Sequence, residues 1–186
     1  MNPHAIVFGL GDFARVLAFH LPYDVYAFVV DEAYRTTDSF FGKPVLAWDD
    51  APKEHPFFAA VGYSNGNRNR QAIFERAKAA GFAQPGLGGV NEGTIVLPHA
   101  IIEPFARIGV NCVLWSGCHV AHDTVIEDHV FLAPQAAIAG NCRIGERTFV
   151  GVNATVRDGV TIGADCVIGA GAVVVRDVKA GSVVKG

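Results

Sequence analysis

The C-terminal half of the chain carries an aliphatic residue at every sixth position, with no break in register. This column consists of Val96, Ile102, Ile108, Leu114, Val120, Ile126, Leu132, Ile138, Ile144, Val150, Val156, Ile162, Ile168 and Val174. A second column lies four residues further on, and each of its members is small or β-branched. It consists of Ala100, Ala106, Cys112, Cys118, Thr124, Val130, Ala136, Cys142, Thr148, Ala154, Val160, Cys166, Ala172 and Val178. Period six fits neither a 3.6-residue helix nor the two-residue alternation of a plain strand. It predicts short strands joined by tight turns, with one large and one small inward side chain in each hexad.

Three hexads close a triangular coil, and stacked coils pair through backbone hydrogen bonds at about 4.8 Å. The fourteen hexads therefore predict a parallel β-helix of between four and five coils, roughly 20–25 Å long. Periodicity alone does not set the hand of this helix.

The four cysteines follow the same period. Cys112, Cys118, Cys142 and Cys166 are separated by one, four and four hexads, so all of them fall in the small-residue column. The chain has no CxxC pair, which excludes a zinc knuckle or a thioredoxin-type site. We therefore expect four buried thiols.

The N-terminal half has a different composition. Of the 19 aromatic residues, 15 precede residue 90, and a narrow β-helix has little room for rings inside. This shift predicts two domains, residues 1–88 and 89–186, joined through Gln84-Pro-Gly-Leu-Gly-Gly89.

The sequence of the first domain predicts alternating strands and helices. Apolar runs predict strands over residues 5–8, 26–30 and 57–61, a helix that ends at Leu21, and a helix from about residue 69 to 80. This alternation predicts a small parallel sheet.

A glycine-rich turn follows the first strand. Gly9-Leu-Gly-Asp-Phe-Ala14 is close to a dinucleotide fingerprint, with Ala14 in place of the third glycine. Such a turn directs free N–H groups at a phosphate, and an acidic residue that closes the second strand, here Asp31, often holds a ribose or base. About 90 residues suit a single mononucleotide, such as a nucleotide sugar, better than NAD. The alternative is a tight strand–helix turn that binds nothing.

Composition narrows the function classes. The chain is 51% hydrophobic and 18% charged with a formal net charge of -3, which excludes a disordered chain and argues against a nucleic-acid binder. No apolar run approaches the roughly 18 residues of a membrane span, and the N-terminus lacks signal-peptide features. We therefore expect a cytoplasmic protein.

The two halves together resemble the bacterial sugar acyltransferases, which include the bacillosamine and perosamine N-acetyltransferases and the sialic-acid O-acetyltransferases. The resemblance rests on Val7-Phe-Gly-Leu-Gly11, Val30-Asp-Glu32, Ala139-Gly-Asn141 and, above all, Gly117-Cys-His-Val-Ala-His-Asp123. It implies a small N-terminal Rossmann-like α/β domain that binds a nucleotide sugar, followed by a left-handed parallel β-helix. It also implies a homotrimer that uses acetyl-CoA as co-substrate, needs no metal and acts in cell-surface polysaccharide biosynthesis.

The resemblance assigns roles residue by residue. His122 matches the family's catalytic histidine, Asp123 the acidic neighbour that raises its basicity, and Gly140 the glycine whose N–H faces the developing oxyanion. The positions that line the acetyl-CoA groove are Phe131, Val152 and Ala170. The nucleotide-sugar contacts are Leu10, Gly11, Asp12, Asp31, Glu32 and Gly62. Several family members have a histidine where this chain has Phe131, so that contact is apolar here.

The predicted function is acetyl-CoA-dependent N-acetylation of a nucleotide-linked amino sugar, by direct attack and without an acyl-enzyme. His119 is an alternative base or substrate contact. O-acetylation of a sugar hydroxyl and a non-catalytic nucleotide-binding trimeric scaffold remain alternative functions. A γ-class carbonic anhydrase would need three zinc-binding histidines, two of them five apart, whereas His119 and His122 are three apart. A serine-acetyltransferase type would have helices in place of the glycine-turn domain.

Overall fold

A computed structural model describes residues 3–186, which divide into two compact units. One unit comprises the chain up to Gly62 together with Ala72–Pro85; the other comprises Tyr63–Gln71 and Gly86–Gly186. Composition predicted one boundary, between residues 88 and 89. The structure divides the chain between residues 85 and 86 and, in addition, groups a short N-terminal segment, Tyr63–Gln71, with the second unit.

The first unit is built on a five-stranded sheet. Its elements in chain order are β1 (His4–Phe8), α1 (Asp12–His20), β2 (Asp24–Val30), β3 (Ser39–Phe40), β4 (Lys43–Ala47), β5 (Phe57–Ala59) and the C-terminal part of α2 (Arg68–Ala79), with short 3₁₀ helices at Glu32–Tyr34 and Trp48–Asp50. The strand order is β3-β4-β2-β1-β5, and only β3 runs antiparallel to its neighbour. The small parallel sheet expected from the sequence is present, with an added antiparallel edge.

This edge was not predicted. The β3–β4 hairpin turns through Phe41 and Gly42, both at positive φ, and Pro44 lies inside β4. Proline and glycine weaken a strand pattern, and β4 tolerates Pro44 because this residue lies beside the two-residue edge strand. The strand predicted over residues 57–61 was also too long, because β5 ends at Ala59.

The sheet changes winding direction next to β1. From β1 the chain adds β2 and then β4 on one side, whereas β5 pairs on the other side. In open parallel sheets, ligands bind beyond the carboxyl ends of the strands at such a switch point. The loops that follow β1 and β5 therefore border the natural crevice of this unit.

The second unit is a parallel β-helix of two-residue strands. They are β6 (Ile95–Val96), β7 (Ile101–Ile102), β8 (Arg107–Ile108), β9 (Val113–Leu114), β10 (His119–Val120), β11 (Val125–Ile126), β12 (Phe131–Leu132), β13 (Ala137–Ile138), β14 (Arg143–Ile144), β15 (Phe149–Val150), β16 (Thr155–Val156), β17 (Thr161–Ile162), β18 (Val167–Ile168), β19 (Val173–Val174) and β20 (Val183–Val184). They form three parallel sheets of five, four and six strands within the described residues. From β6 to β16, each strand pairs with the one three hexads further on, as in Val120 with Ile138 and Leu132 with Val150. Three hexads therefore make one coil, consistent with a left-handed β-helix.

Both predicted columns form the interior. The aliphatic column is buried from Ile108 onward, and its first two members, in the first coil, are half-buried. The small-residue column packs beside it as expected, except at its last member. Val178 pairs with Ile162, although it lies two positions short of three full hexads beyond it, so Val178 occupies the aliphatic column of a shortened final coil. The strict period therefore ends after Val174.

A third column, which the sequence analysis did not identify, shapes the turns. Every sixth residue from Gly93 to Gly171 has a positive φ, fourteen positions in all. Their identities are mixed: Gly93, His99, Phe105, Asn111, Gly117, Asp123, His129, Gln135, Asn141, Arg147, Asn153, Gly159, Asp165 and Gly171. Asparagine and aspartate tolerate this left-handed conformation better than other non-glycine residues. Each coil therefore has three corners, and each corner presents one such residue.

The cysteines are buried free thiols, which confirms the prediction. Burial raises the pKa of the Cys112 and Cys118 thiols to about 12, so these sulfurs stay protonated. Three of the four lie one coil above a threonine of the same column. In one such pair the Thr148 hydroxyl donates to the Gly163 carbonyl over 2.9 Å and accepts the Cys166 N–H over 3.1 Å.

We expect Thr148→Val to destabilise the β-helix, because it leaves the buried Cys166 N–H and Gly163 carbonyl without their partner. An unmet buried polar group costs about 1–3 kcal/mol. Denaturant unfolding would measure this loss. Thr161→Val, on the exposed face of β17, is the matched control and should leave the midpoint unchanged. Equal effects of the two variants would contradict this account of the threonines.

Candidate active site

His122 occupies a corner of the β-helix, between β10 and β11. The three-hexad register stacks it with Pro104, Gly140 and Asp158, and the Asn141 N–H donates to its carbonyl over 3.1 Å. The imidazole is about half exposed. The ladder therefore fixes the backbone of His122 while its side chain faces outward.

Asp123 orients the imidazole. Its Oδ2 lies 2.9 Å from His122 Nδ1, and because a carboxylate only accepts, Nδ1 carries the hydrogen. This contact raises the pKa of His122, and the charges of Glu103 and Asp158 add to the effect. Nε2 then carries the lone pair, and among residues 3–186 no hydrogen bond to it is seen. His122 is thus set up as a base at Nε2.

Glu103, which the sequence analysis missed, connects both histidines of this corner. Its Oε2 accepts the His122 backbone N–H over 2.9 Å, and its Oε1 lies 2.9 Å from His119 Nε2. These contacts hold the pKa of Glu103 below its ordinary value. Glu103 lies one full coil before Ala121, the neighbour of His122, so the repeat could have identified it. His119 has its Nε2 engaged, unlike His122.

Gly140 lies directly against the imidazole. A Cβ built on it would stand 2.8 Å from both Nε2 and Cε1 of His122, closer than real Cβ contacts allow. The backbone hydrogen bonds between coils do not use the N–H at the position that Gly140 occupies in its hexad. At the equivalent positions Val110, His122 and Glu146, an acidic side chain accepts this N–H. No acceptor for the Gly140 N–H is seen within the described part of the chain. A backbone N–H without an acceptor among the described residues therefore lies beside the imidazole.

The structure separates the residues predicted to line the acetyl-CoA groove. Val152 and Ala170 are both exposed and stack one coil apart, and the Gly171 N–H donates to the Val152 carbonyl over 2.8 Å. Phe131 is only 6% exposed and packs on Phe149 and Tyr63. Its role in the groove stays a prediction.

The segment that buries Phe131 was not predicted to belong to this unit. Tyr63 stacks on Phe149 with ring centroids 3.8 Å apart. Arg70 is fully buried and donates to the Asn67 side chain and to the carbonyls of Asn111 and His129. Burial lowers the pKa of Arg70 to about 10. Tyr63–Gln71 is thus anchored to the outer face of the β-helix.

In the first unit, the predicted nucleotide-sugar residues lie at the carboxyl ends of three neighbouring strands. Leu10, Gly11 and Asp12 follow β1, Asp31 and Glu32 follow β2, and Gly62 lies shortly after β5. Gly9 has a φ of +116° and lies against the Ala60 carbonyl, so this tight turn requires glycine. Asp31 is paired with Arg76, whose guanidinium lies 3.8 Å from the centroid of the Trp48 ring.

Across residues 3–186 the structure forms no group of three or more His, Cys, Asp or Glu side chains placed to hold a metal ion. None of the described helices is long and apolar enough to cross a membrane.

Comparisons with known proteins identify the family. The family model "Bacterial transferase hexapeptide (six repeats)" matches residues 123–157 and 141–176. A GDP-perosamine N-acetyltransferase from Caulobacter crescentus, solved as a mutant with CoA and GDP-perosamine, is 31% identical, with a TM-score of 0.88 over 100% of this chain and 94% of that chain. The chain belongs to the hexapeptide-repeat sugar acetyltransferases. The predictions of this family and of an acetyltransferase are therefore confirmed.

Two further proteins have similar structures. The acetyltransferase domain of PglB from Neisseria gonorrhoeae is 29% identical, with a TM-score of 0.90 over 100% of this chain and 97% of that chain. The same domain has also been solved with acetyl coenzyme A. WeeI from Acinetobacter baumannii is 25% identical, with a TM-score of 0.76 over 98% of this chain and 97% of that chain.

We expect Asp123→Asn to lower the pKa of His122, because the neutral amide no longer stabilises the imidazolium. A raised pKa keeps the imidazole protonated to higher pH, so any rate that needs neutral His122 rises only above that pKa. In the variant the rise moves to lower pH. NMR titration of the imidazole measures the shift directly. Asp128→Asn, at a different corner, is the control, and an unchanged His122 titration in Asp123→Asn would refute the pairing.

Gly140→Ala should displace the imidazole without unfolding the protein, because the added methyl group meets the movable end of a side chain. We expect acetyl transfer to fall at least about tenfold. The free energy of unfolding should change by less than about 0.5 kcal/mol. Turnover and thermal unfolding measured on the same preparation would separate the two effects. Full turnover in the variant would show that Gly140 is not needed for its small size.

Proposed function

We propose that this chain is an acetyl-CoA-dependent N-acetyltransferase acting on a nucleotide-linked amino sugar, with His122 as general base and direct transfer. The observation that carries the proposal is the corner where Asp123 binds Nδ1 of His122 and leaves Nε2 for a substrate. His119 is the weaker candidate, because its Nε2 is already held by Glu103.

The chemistry balances without an acyl-enzyme. His122 accepts a proton at Nε2 while the amine nitrogen bonds to the acetyl carbon. The carbon–sulfur bond then breaks, and the sulfur leaves as a thiolate that takes this proton from the imidazolium. An amide, the CoA thiol and a neutral histidine result. The N–H of Gly140 is the donor we assign to the acetyl oxygen, where charge develops.

Three carboxylates favour an amine over a hydroxyl as the acceptor. Glu103, Asp123 and Asp158 act on the His122 corner, where they all raise the pKa of the imidazole. An amino sugar is a cation before it loses its proton, so a negative corner attracts it, whereas a hydroxyl has no charge to attract. The ammonium releases its extra proton to solvent before the neutral amine attacks, so the one proton that His122 accepts is the proton lost as the amide forms.

The first unit supplies the nucleotide-sugar site in this proposal. Gly9 and Gly11 open the turn into α1, and Gly11 is its N-cap without a side-chain cap, so the positive end of this helix lies at the turn to which we assign the phosphate. Asp31 and Glu32 follow the neighbouring strand. The complexed relative binds GDP-perosamine, whose chemical class fits this assignment. We assign Val152 and Ala170 to the acyl donor.

The active form in this proposal is a homotrimer. The outward column of the β7–β10–β13–β16–β19 sheet consists of Ile101, His119, Ala137, Thr155 and Val173, and its two end members, Ile101 and Val173, are exposed aliphatic residues. Exposed aliphatic side chains on one flat sheet gain stability when a second copy covers them. This sheet ends at the corner that carries His122.

Release of free CoA from acetyl-CoA tests the function, screened against UDP-, dTDP- and GDP-linked 3-amino and 4-amino sugars. We expect turnover with one amino sugar and a fall in kcat of about 10²–10⁴-fold in His122→Asn. His99→Asn is the matched control, since it changes an exposed turn histidine at another corner.

Each other outcome selects a different function. Turnover only with a sugar hydroxyl would establish the O-acetyltransferase. Acetylated protein that accumulates with acetyl-CoA alone would overturn direct transfer. Absence of turnover, with nucleotide binding retained, would favour the trimeric scaffold.

A further inference from the structure

Glu103 is joined to the corner of His122 by three contacts. Its own backbone N–H donates to the Val120 carbonyl over 2.9 Å, so the ladder fixes where its side chain starts. Oε2 then accepts the His122 N–H and Oε1 meets His119 Nε2, each at 2.9 Å. The carboxylate is one-third exposed and has both oxygens engaged. Its placement is therefore defined at both ends of the side chain.

A second glutamate makes the same contacts elsewhere in the β-helix. Glu127 donates its N–H to the Ile144 carbonyl, and its Oε2 accepts the Glu146 N–H over 2.9 Å. Its Oε1 pairs with Arg143. Both glutamates therefore reach the same two positions of the next coil, one for the N–H donor and one for the side-chain partner. The arrangement is thus a structural device of the coil, used twice.

The two copies differ in what they hold. At Glu127 an arginine neutralises the carboxylate, and the N–H donor is a glutamate. At Glu103 the partner is His119, and the N–H donor is His122. We propose that Glu103 is a positioning residue for acetyl transfer, which holds the backbone of His122 and keeps beside this base a carboxylate whose side-chain partner is a histidine and not an arginine. The inference rests on the proposed function and extends it.

The charged groups around His122 determine how strongly Glu103 affects the pKa of its imidazole. Asp123 binds its ring directly, and the charges of Glu103 and Asp158 reach it through space; His119 lies on the far oxygen of Glu103. All three carboxylates favour the protonated ring. Asp123 sets the tautomer, so loss of Glu103 should weaken the base without abolishing it.

Glu103→Gln tests the proposal, because a carboxamide keeps the size of the side chain and an acceptor oxygen but removes the charge. We expect kcat to fall about tenfold, which is less than the loss of the base itself. The KM for acetyl-CoA should stay within about twofold, since the effect lies on the chemical step. The acidic limb of the pH–kcat profile should move to lower pH.

Glu127→Gln is the matched control, since it removes the same carboxylate at the same register without touching a histidine. We expect it to cost as much thermal stability as Glu103→Gln and to leave kcat and the pH profile unchanged. If the two variants behave alike in stability, kcat and pH profile, Glu103 is only structural and the proposal is overturned.

A second variant covers the case in which Glu103→Gln does not fold. His119→Arg recreates the Glu127–Arg143 pair at this corner, so Glu103 is retained and its charge is neutralised. The pKa of His122 should then fall, as we expect in Glu103→Gln. An unchanged His122 titration in His119→Arg would contradict the role of the Glu103 charge.

Imidazole NMR separates failure of this inference from failure of the proposed function. In histidine-labelled protein, the His122 signals are identified by their loss in His122→Asn, and their titration needs no substrate. If the wild type turns over no amino sugar while Glu103→Gln still lowers the pKa of His122, the enzyme function fails and the coupling stands. If turnover occurs and the titration is unchanged, the positioning role fails alone.

Discussion

Backbone hydrogen bonds between successive coils impose one repeat length on the second unit, and its remaining features depend on that length. The Val125 N–H donates to the Cys142 carbonyl and the Phe131 N–H to the Thr148 carbonyl, with the same offset along the chain in both cases. A coil of any other length would break these bonds or change its turns. Such a change occurs in the shortened final coil, where Val178 pairs with Ile162 and Val183 with Val167. Because each corner recurs after every three hexads, side chains far apart in sequence stack into one vertical line. The candidate active site is one such line.

The corner that carries His122 combines two requirements at adjacent residues. Asp123 adopts the left-handed conformation with a φ of +57°, which aspartate tolerates because its short polar side chain can bond locally. The same geometry places its carboxylate on His122 Nδ1. One coil above, Gly140 provides the space that the ring needs. Asp123 therefore provides both the turn conformation of this corner and the carboxylate that raises the pKa of His122.

The interior of the β-helix is too narrow for aromatic rings, so its phenylalanines lie on the outer surface. Phe131 and Phe149 alternate with inward Leu132 and Val150, so their rings must lie outside the β-helix. Tyr63 covers them, and Arg70 satisfies carbonyls that this cover takes out of water. A buried guanidinium is costly unless it is fully hydrogen-bonded, and here four side-chain or carbonyl acceptors surround it. This is how a segment from the N-terminal half comes to belong to the second unit.

The sequence by itself determined the β-helix, its inward columns and the burial of the cysteines, because a hydrophobic period is a local property that survives without coordinates. It also predicted the glycine turn of Gly9, and the family resemblance singled out His122, Asp123 and Gly140, which the structure brings into contact. The role of Glu103 was not evident from the sequence, because a glutamate in a turn resembles any solvated residue. Its position becomes informative only when residues one coil apart are compared. Nor did the sequence reveal the column of positive-φ residues, since glycine, asparagine, arginine and phenylalanine all occur at those corners. Only the tertiary structure decided that Tyr63–Gln71 packs on the β-helix and that Phe131 is covered, because such contacts join distant parts of the chain with no period to connect them.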